Sequence, residues 1–245
     1  MMLIIAHRGS SGTAPENTMA AFRKAVHDGA MMIELDVRLS ADGEVVVIHD
    51  RRLRRVSGKR GRVRDLPCAA LKALDVGSYF DPAFSEERIP LLREVLRMVP
   101  GEIGLNIEVK TDGDRVRNGL MSSALGDLIT RSGKKRTILV SSFDHRFLKG
   151  FHGMFPAVPL GVLYLAVRDM GRSPVRLAQR VGARTFVCSR SQVRKRAVLA
   201  AHRSNLQVLV YGVRTLYHLA QMKRFGADGV ITDYPARLSR AVVPQ

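Results

Sequence analysis

Short apolar runs alternate along this chain with amphipathic stretches of helical spacing. The first run, residues 3–7, ends in His7-Arg8-Gly9 and passes into a Ser/Gly loop. Pro15-Glu16-Asn17-Thr18 then opens a helix, with Asn17 or Thr18 as N-cap and Met19, Phe22, Ala25 and Val26 as its apolar stripe. Gly29 closes that helix, and residues 32–37 form the second strand. After a helix at 91–98 the alternation is steady. Strands are expected at 104–109, 137–141, 160–164, 185–188, 207–211 and 229–232. Helices are expected near 115–131, 144–151, 174–181, 192–203 and 216–224.

Residues 31–50, MMIELDVRLSADGEVVVIHD, break the alternation. They leave no room for a helix, and Asp42-Gly43 is a strong signal for a two-residue hairpin turn. Such a turn sets Ala41 opposite Glu44 and Asp36 opposite His49. Without the hairpin's return strand, eight strands remain, each followed by a helix. That pattern in 245 residues predicts an α/β fold, a TIM (β/α)8 barrel, as one domain over 1–245. An open doubly wound sheet is the rival, but no Gly-rich dinucleotide fingerprint follows the first strand. Residues 50–88 show no helix–strand alternation and are read as a small insertion after strand two, near the active-site mouth.

Polar residues at the strand ends change the picture from fold to chemistry. Glu34 and Asp36 are two apart, so they share a face of one strand. Two like charges on a buried face cost too much unless a cation or a chemical task balances them. Asn106, Glu108 and Lys110 alternate in the same way on the next strand. Glu34, Asp36 and Glu108 together make a hard-oxygen set, suited to one divalent cation, Mg²⁺ or Ca²⁺, with Mn²⁺ an alternative, rather than Zn²⁺. His7 and His49 titrate near neutral pH and fit acid and base roles. Arg8 and Lys110 point at the same mouth and would hold a phosphoryl group; an ion pair with Glu16 is the alternative for Arg8. Ser141, Ser142 and Phe143 end the fourth strand, and Thr232 and Asp233 the last.

Charge is the unusual part of the composition. There are 40 Lys and Arg against 22 Asp and Glu, a formal net charge of +18. Anionic partners are favoured by such a balance. The basic run from Arg51 to Arg64, RRLRRVSGKRGRVR, could give weak association with acidic lipid surfaces. Nucleic acid is a poor fit, because the basic residues are spread over many helices with no interleaved aromatic platform. No apolar run reaches a membrane span of roughly 18 residues, and MMLIIAHRG does not read as a signal peptide. Cys68 and Cys188 lack ligand-like spacing and are expected as buried thiols, which fits a cytoplasmic protein.

The segments HRG, PENT, ELDVRLSADGEVVVIHD, NIEVK, SSFD and GVITDYP, in that order, strongly resemble the glycerophosphodiester phosphodiesterase family, of the phospholipase-C-like TIM-barrel phosphodiesterases. The resemblance covers nearly the whole chain, and the insertion GKRGRVRDL…LKALDVGSYF…ERIPLLREVL shares in it. It implies metal-dependent hydrolysis of glycerophosphodiesters to sn-glycerol 3-phosphate and an alcohol. By position, His7 and His49 match the family's acid/base pair, and Glu34, Asp36 and Glu108 its metal ligands. Arg8 and Lys110 match its phosphate contacts, with Phe143 beside them. Many members carry Trp-Thr-Val-Asn where this chain has Tyr211-Gly212-Val213-Arg214, and Arg51 and Arg54 stand where uncharged or acidic residues are usual. The alternative within this class is a lysophospholipase D-type hydrolase working on lysolipids at a membrane surface.

Overall fold

The computed structural model describes residues 2–133 and 136–241. Nine strands run through them: β1 (Leu3–His7), β2 (Met32–Leu39), β3 (Val45–Val47), β4 (Gly104–Val109), β5 (Ile138–Ser142), β6 (Leu160–Leu163), β7 (Thr185–Ser189), β8 (Gln207–Tyr211) and β9 (Gly229–Thr232). β1 pairs in parallel with both β2 and β9, so the sheet closes on itself. The remaining members follow around the ring in the order β9, β8, β7, β6, β5, β4, β2. This is the eight-stranded parallel TIM barrel that the alternation predicts, with β3 attached antiparallel to β2.

Strand alternation divides the core in two. Ile4, Ala6, Ile33, Leu35, Ile107, Val140, Val162 and Val230 face outward and bury against the helices. Ile5, Met32, Leu139, Leu163, Val187, Leu209 and Ile231 fill the barrel's interior. The helices begin where capping chemistry allows. Thr18 Oγ1 accepts from Ala21 N–H at the start of Met19–His27, and Asp114 and Asp144 cap Arg115–Arg131 and His145–Met154 in the same way. A short helix after β6, Ala166–Asp169, and another after β9, Pro235–Ser239, escaped the helix pattern because each offers barely more than one turn. No helix of the described residues is long and apolar enough to cross a membrane.

The hairpin departs from expectation by one residue. Val37 pairs with Val47, Arg38 with Val46 and Leu39 with Val45, so Asp36 does not stand opposite His49 in the ladder. The connection is the three-residue loop Ala41-Asp42-Gly43, with Gly43 at φ +84°. Ser40 Oγ accepts from the Glu44 N–H and Ser40 N–H donates to the Glu44 carbonyl, which closes the loop one residue earlier than a two-residue turn would. A slip of one would turn the whole strand over. It does not displace His49 from the site, because the ladder ends at Val47 and Arg38 Nε then binds the His49 carbonyl at 2.8 Å.

Between β3 and β4 the chain builds a small core of its own from Val46, Ile48, Leu53, Val56, Val63, Leu71, Val76, Ile89 and Leu91. Cys68 is buried in it, Cys188 is buried on the outer face of β7 against the helices, and both are free thiols. Arg51 reaches Asp112, and Arg55 reaches Glu16 and Asp50; these contacts hold the insertion against the C-terminal end of the barrel.

Candidate active site

The strand register brings the polar residues together at that end. His7 lies beside Glu34, Glu34 beside Asn106, and Asp36 beside Glu108. A cavity of about 130 Å³ is lined by His7, Arg8, Glu34, His49, Asn106, Glu108, Lys110, Phe143, Leu163, Tyr211 and Ile231. Every residue expected at the site lines it except Asp36, which stands behind it in contact with Arg8 and Lys110. Larger hollows, about 390 and 1100 Å³, lie among the helices outside the barrel and lack this convergence of carboxylates and imidazoles. Chemistry, rather than size, selects the small one.

The carboxylates are the centre. Oxygens of Glu34, Asp36 and Glu108 lie within 4.8 Å of one another, and all three residues are buried. Asp36 Oδ2 accepts from Asn17 Nδ2 at 2.9 Å and lies 3.0 Å from Arg8 Nε in an ion pair, while its Oδ1 faces Lys110 Nζ at 3.2 Å. Burial alone would raise its pKa, but Lys110, Arg8, His49 and Asn17 hold it well below the carboxylate range. Glu34 and Glu108 go the other way: burial, then the charge of Asp36, pushes both upward. Glu34 Oε2 accepts the Arg8 amide at 2.9 Å, whereas Glu34 Oε1 is buried without a hydrogen-bond partner. Three buried carboxylates, two of them (Glu34 and Asp36) with an oxygen that has no hydrogen-bond partner, fit a hard divalent cation, which would offset both the repulsion and the desolvation.

Two backbone strains shape this corner. Arg8 and Asn17 have φ of +54° and +58°, unusual for residues with a Cβ. Asn17 N–H donates to the Arg8 carbonyl, and Asp36 N–H to Asn17 Oδ1, so the two strained residues hold each other and the carboxylate. Arg8 also pairs with Glu16 at 2.8 Å, the alternative contact its sequence position allowed, while still lining the cavity. Lys110 binds Glu108 and lies 5.5 Å from the centre of the Phe143 ring.

Each histidine has its Nδ1 on a carboxylate. His7 Nδ1 is 2.7 Å from Asp233 Oδ1, and His49 Nδ1 is 2.6 Å from Asp50 Oδ1. A carboxylate can only accept, so Nδ1 carries the proton and Nε2 is the exchanging nitrogen. Their surroundings pull them apart. Burial works to lower His7, but the Asp233 hydrogen bond and the nearby Glu34 win, and its pKa rises. For His49 burial and the charges of Arg8 and Lys110 outweigh Asp36 and Asp50, and its pKa falls. Asp233 is the residue that sequence reasoning left without a role; its position just after the last strand was the only signal. Tyr211 takes a place in the cavity wall, and Arg214 Nε binds the second Asp233 oxygen at 2.8 Å.

Comparison with known proteins gives the chain's likenesses. The family model for the glycerophosphoryl diester phosphodiesterase family matches residues 7–237. A glycerophosphodiester phosphodiesterase of Bacillus altitudinis is 34% identical over 239 residues, covering 97% of this chain and 96% of that protein. A lysophospholipase D of Mus musculus is 30% identical over 268 residues, covering 96% of this chain and 84% of that protein. Among solved structures, a phosphodiesterase of Oleispira antarctica in complex with the product sn-glycerol-3-phosphate superposes with a TM-score of 0.90 at 28% identity, covering 98% of this chain and 96% of that one.

Proposed function

The chain belongs to the glycerophosphoryl diester phosphodiesterase family, phosphoric diester hydrolases, and from that premise we propose that it hydrolyses glycerophosphodiesters to sn-glycerol 3-phosphate and an alcohol. The observation that carries this reading is the meeting, at and just behind one cavity, of three buried carboxylates and two histidines with opposite pKa shifts. We take the barrel and its insertion as one catalytic unit.

Glu34, Asp36 and Glu108 would hold one divalent cation, Mg²⁺, Ca²⁺ or Mn²⁺, which when bound supplies positive charge for the phosphoryl oxygens. Arg8 and Lys110 add two further positive charges at the same wall, and Phe143 packs over Lys110 and fixes its direction. His49, the imidazole pushed toward its neutral form, acts as the base that takes a proton from the attacking hydroxyl. His7, held protonated by Asp233, acts as the acid that donates to the leaving alkoxide. The attacking group is water, or the substrate's own glycerol hydroxyl; in the second case the cyclic phosphate formed is then opened by water, with the two imidazoles exchanging the acid and base roles. Tyr211, where tryptophan is common in the family, would shape the glycerol side of the cavity.

The test is release of sn-glycerol 3-phosphate from a panel including glycerophosphocholine and glycerophosphoethanolamine, with each cation and with EDTA. Turnover that EDTA abolishes supports the proposal. No turnover of any glycerophosphodiester with any of the three cations rejects it. The lysophospholipase D relative supports a second reading, hydrolysis of lysolipids, which the same panel extended to lysolipids resolves. The two free buried thiols fit a reducing compartment, which supports a cytoplasmic site of action.

A further inference from the structure

Loops at the C-terminal ends of the strands carry apolar side chains out into water around the cavity. After β6, Val167 is 91% exposed and Met170 79%, with Leu165 beside them. After β8, Tyr217 is 73% exposed and Leu216 next to it is also exposed. In the insertion Tyr79 and Phe80 are exposed, and Tyr79 lies close to Glu16, Arg8 and Arg55. β6 sits four places from β1 around the ring, so these groups stand on opposite sides of the mouth.

The β6 loop is built to present them. Asp169 is fully buried, and its carboxylate accepts the Leu165 amide at 3.0 Å and pairs with Arg168 and Arg172. Arg168 also donates to the Phe143 carbonyl, which ties this loop to the wall of the active-site cavity. A turn folded on a buried carboxylate that turns Leu165, Val167 and Met170 outward together presents an apolar tip suited to contact with an apolar surface. Arginines accompany the apolar residues in both segments. Arg168 and Arg172 flank the β6 tip, and in the insertion Arg52 and Arg54 are exposed with no ion pair among the described residues. Arg51 and Arg55, by contrast, are taken up by Asp112, Glu16 and Asp50. Exposed apolar tips with cations in the same segments match a surface that is apolar beneath an anionic layer.

We propose that this face, led by Val167 and Met170 with Arg168 and Arg172 beside them and Arg52 and Arg54 on the insertion, docks on an anionic lipid bilayer and places the cavity mouth against it. The inference rests on the proposed hydrolase reading and deepens it: the substrates reached would be those shed from, or lodged in, such a surface. None of these residues lines the active-site cavity.

The experiment is co-sedimentation of the full chain with vesicles of phosphatidylcholine alone and of phosphatidylcholine mixed with phosphatidylglycerol. The expected result is binding to the mixed vesicles that weakens with added salt. The double substitution Val167→Asp, Met170→Asp is expected to lower the apparent affinity by about tenfold or more, the loss of two buried apolar side chains with added repulsion. Val167→Ser with Met170→Ser, checked for fold by circular dichroism, should show a smaller loss of the same sign. Turnover of soluble glycerophosphocholine by both variants should equal that of the unaltered chain. Absence of binding to the mixed vesicles, or equal binding by chain and variants, overturns the proposal. So does concentration-dependent dimerisation that the same variants abolish, since a second copy would then cover the face. Failure to turn over glycerophosphocholine counts against the hydrolase reading alone, because sedimentation is read without it.

Discussion

His7 Nδ1 lies 2.7 Å from Asp233 Oδ1 across a separation of 226 residues. The contact exists because β1 and β9 are neighbours where the barrel closes, with Ala6 opposite Thr232 in their register. One residue further along each chain, at His7, the last residue of β1, and Asp233, just past β9, imidazole and carboxylate meet. Asp233 is itself held: burial would raise its pKa, but His7 and Arg214 bring it down to about 2. It is thus an anion at every working pH, with one oxygen for each cationic partner. Arg214, one of the departures from the common family sequence, competes with His7 for that charge.

Replacing Asp233 by asparagine should therefore act through His7. The pKa of His7 is raised in the folded chain, so the substitution is expected to lower it and shrink the pH range over which the imidazolium persists. The turnover number should fall on the order of 10²-fold, the lower end of what a positioned acid or base contributes, with KM little changed. The His7 titration followed by NMR, beside the pH–rate profile, checks this. An unaltered His7 pKa would show that Asp233 is only a structural contact.

Cation binding and proton transfer should separate cleanly among the site residues. Glu34→Gln and Glu108→Gln each remove a carboxylate oxygen from the cluster and are expected to weaken divalent-cation affinity in a calorimetric titration. His7→Ala and His49→Ala should keep the affinity while losing about 10²- to 10⁴-fold in turnover. EDTA should abolish turnover in the unaltered chain, and added cation should restore it. Equal loss of cation binding in all four variants would dissolve the division of roles.

Much of this site could be read from residues alone, and the omissions have physical causes. Carboxylates two apart at a strand end, and the periodicity that makes those strands, are local signals; Glu34, Asp36 and Glu108 needed nothing more. The hairpin register depended on whether Asp42-Gly43 was the whole turn. Ser40, whose hydroxyl accepts from Glu44 N–H, made it a three-residue loop, a side-chain choice that composition does not announce. Asp233 gained its role only from barrel closure, and Glu16, left as an alternative partner for Arg8, proved to bridge Arg8 to Arg55 of the insertion. Contacts of that kind belong to the assembled barrel rather than to any one segment.

The raised carboxylates also predict how stability follows pH. Glu34 and Glu108 ionise less readily folded than unfolded, because burial and Asp36 oppose the charge. Stability linked to them is full below their ordinary pKa of 4.5 and is lost as pH rises through the raised folded values. Bound cation removes that opposition. The melting temperature in EDTA should therefore fall below that with Mg²⁺ by a margin that widens from about pH 5 to about pH 8. Glu34→Gln should narrow the margin. A constant margin across that range would mean that the two glutamates do not ionise against the fold.

Gly9 offers a test of how the strained corner is held. Its φ is +81°, and a Cβ there would lie 2.6 Å from the Ala21 carbonyl carbon and 2.7 Å from the Ala21 Cβ. The helix Met19–His27 thus packs directly on the backbone that carries His7 and Arg8, and Ser10 N–H donates to the Ala21 carbonyl at 3.0 Å. Gly9→Ala adds both an unfavourable backbone conformation and a clash with backbone atoms that cannot turn aside, so it should cost about 2–4 kcal/mol. Gly43 separates the two effects. It has φ +84° with nothing within 4 Å of its would-be Cβ, so Gly43→Ala should cost only the conformational part, about 1–2 kcal/mol. Chemical denaturation of both variants measures the difference. In the folded fraction of Gly9→Ala, turnover should fall while that of Gly43→Ala stays near normal, since only the former displaces Arg8 from Glu34 and Asp36. Equal destabilisation by the two would mean that the helix yields to the added methyl group, and that the close approach of Ala21 does not set the position of Arg8.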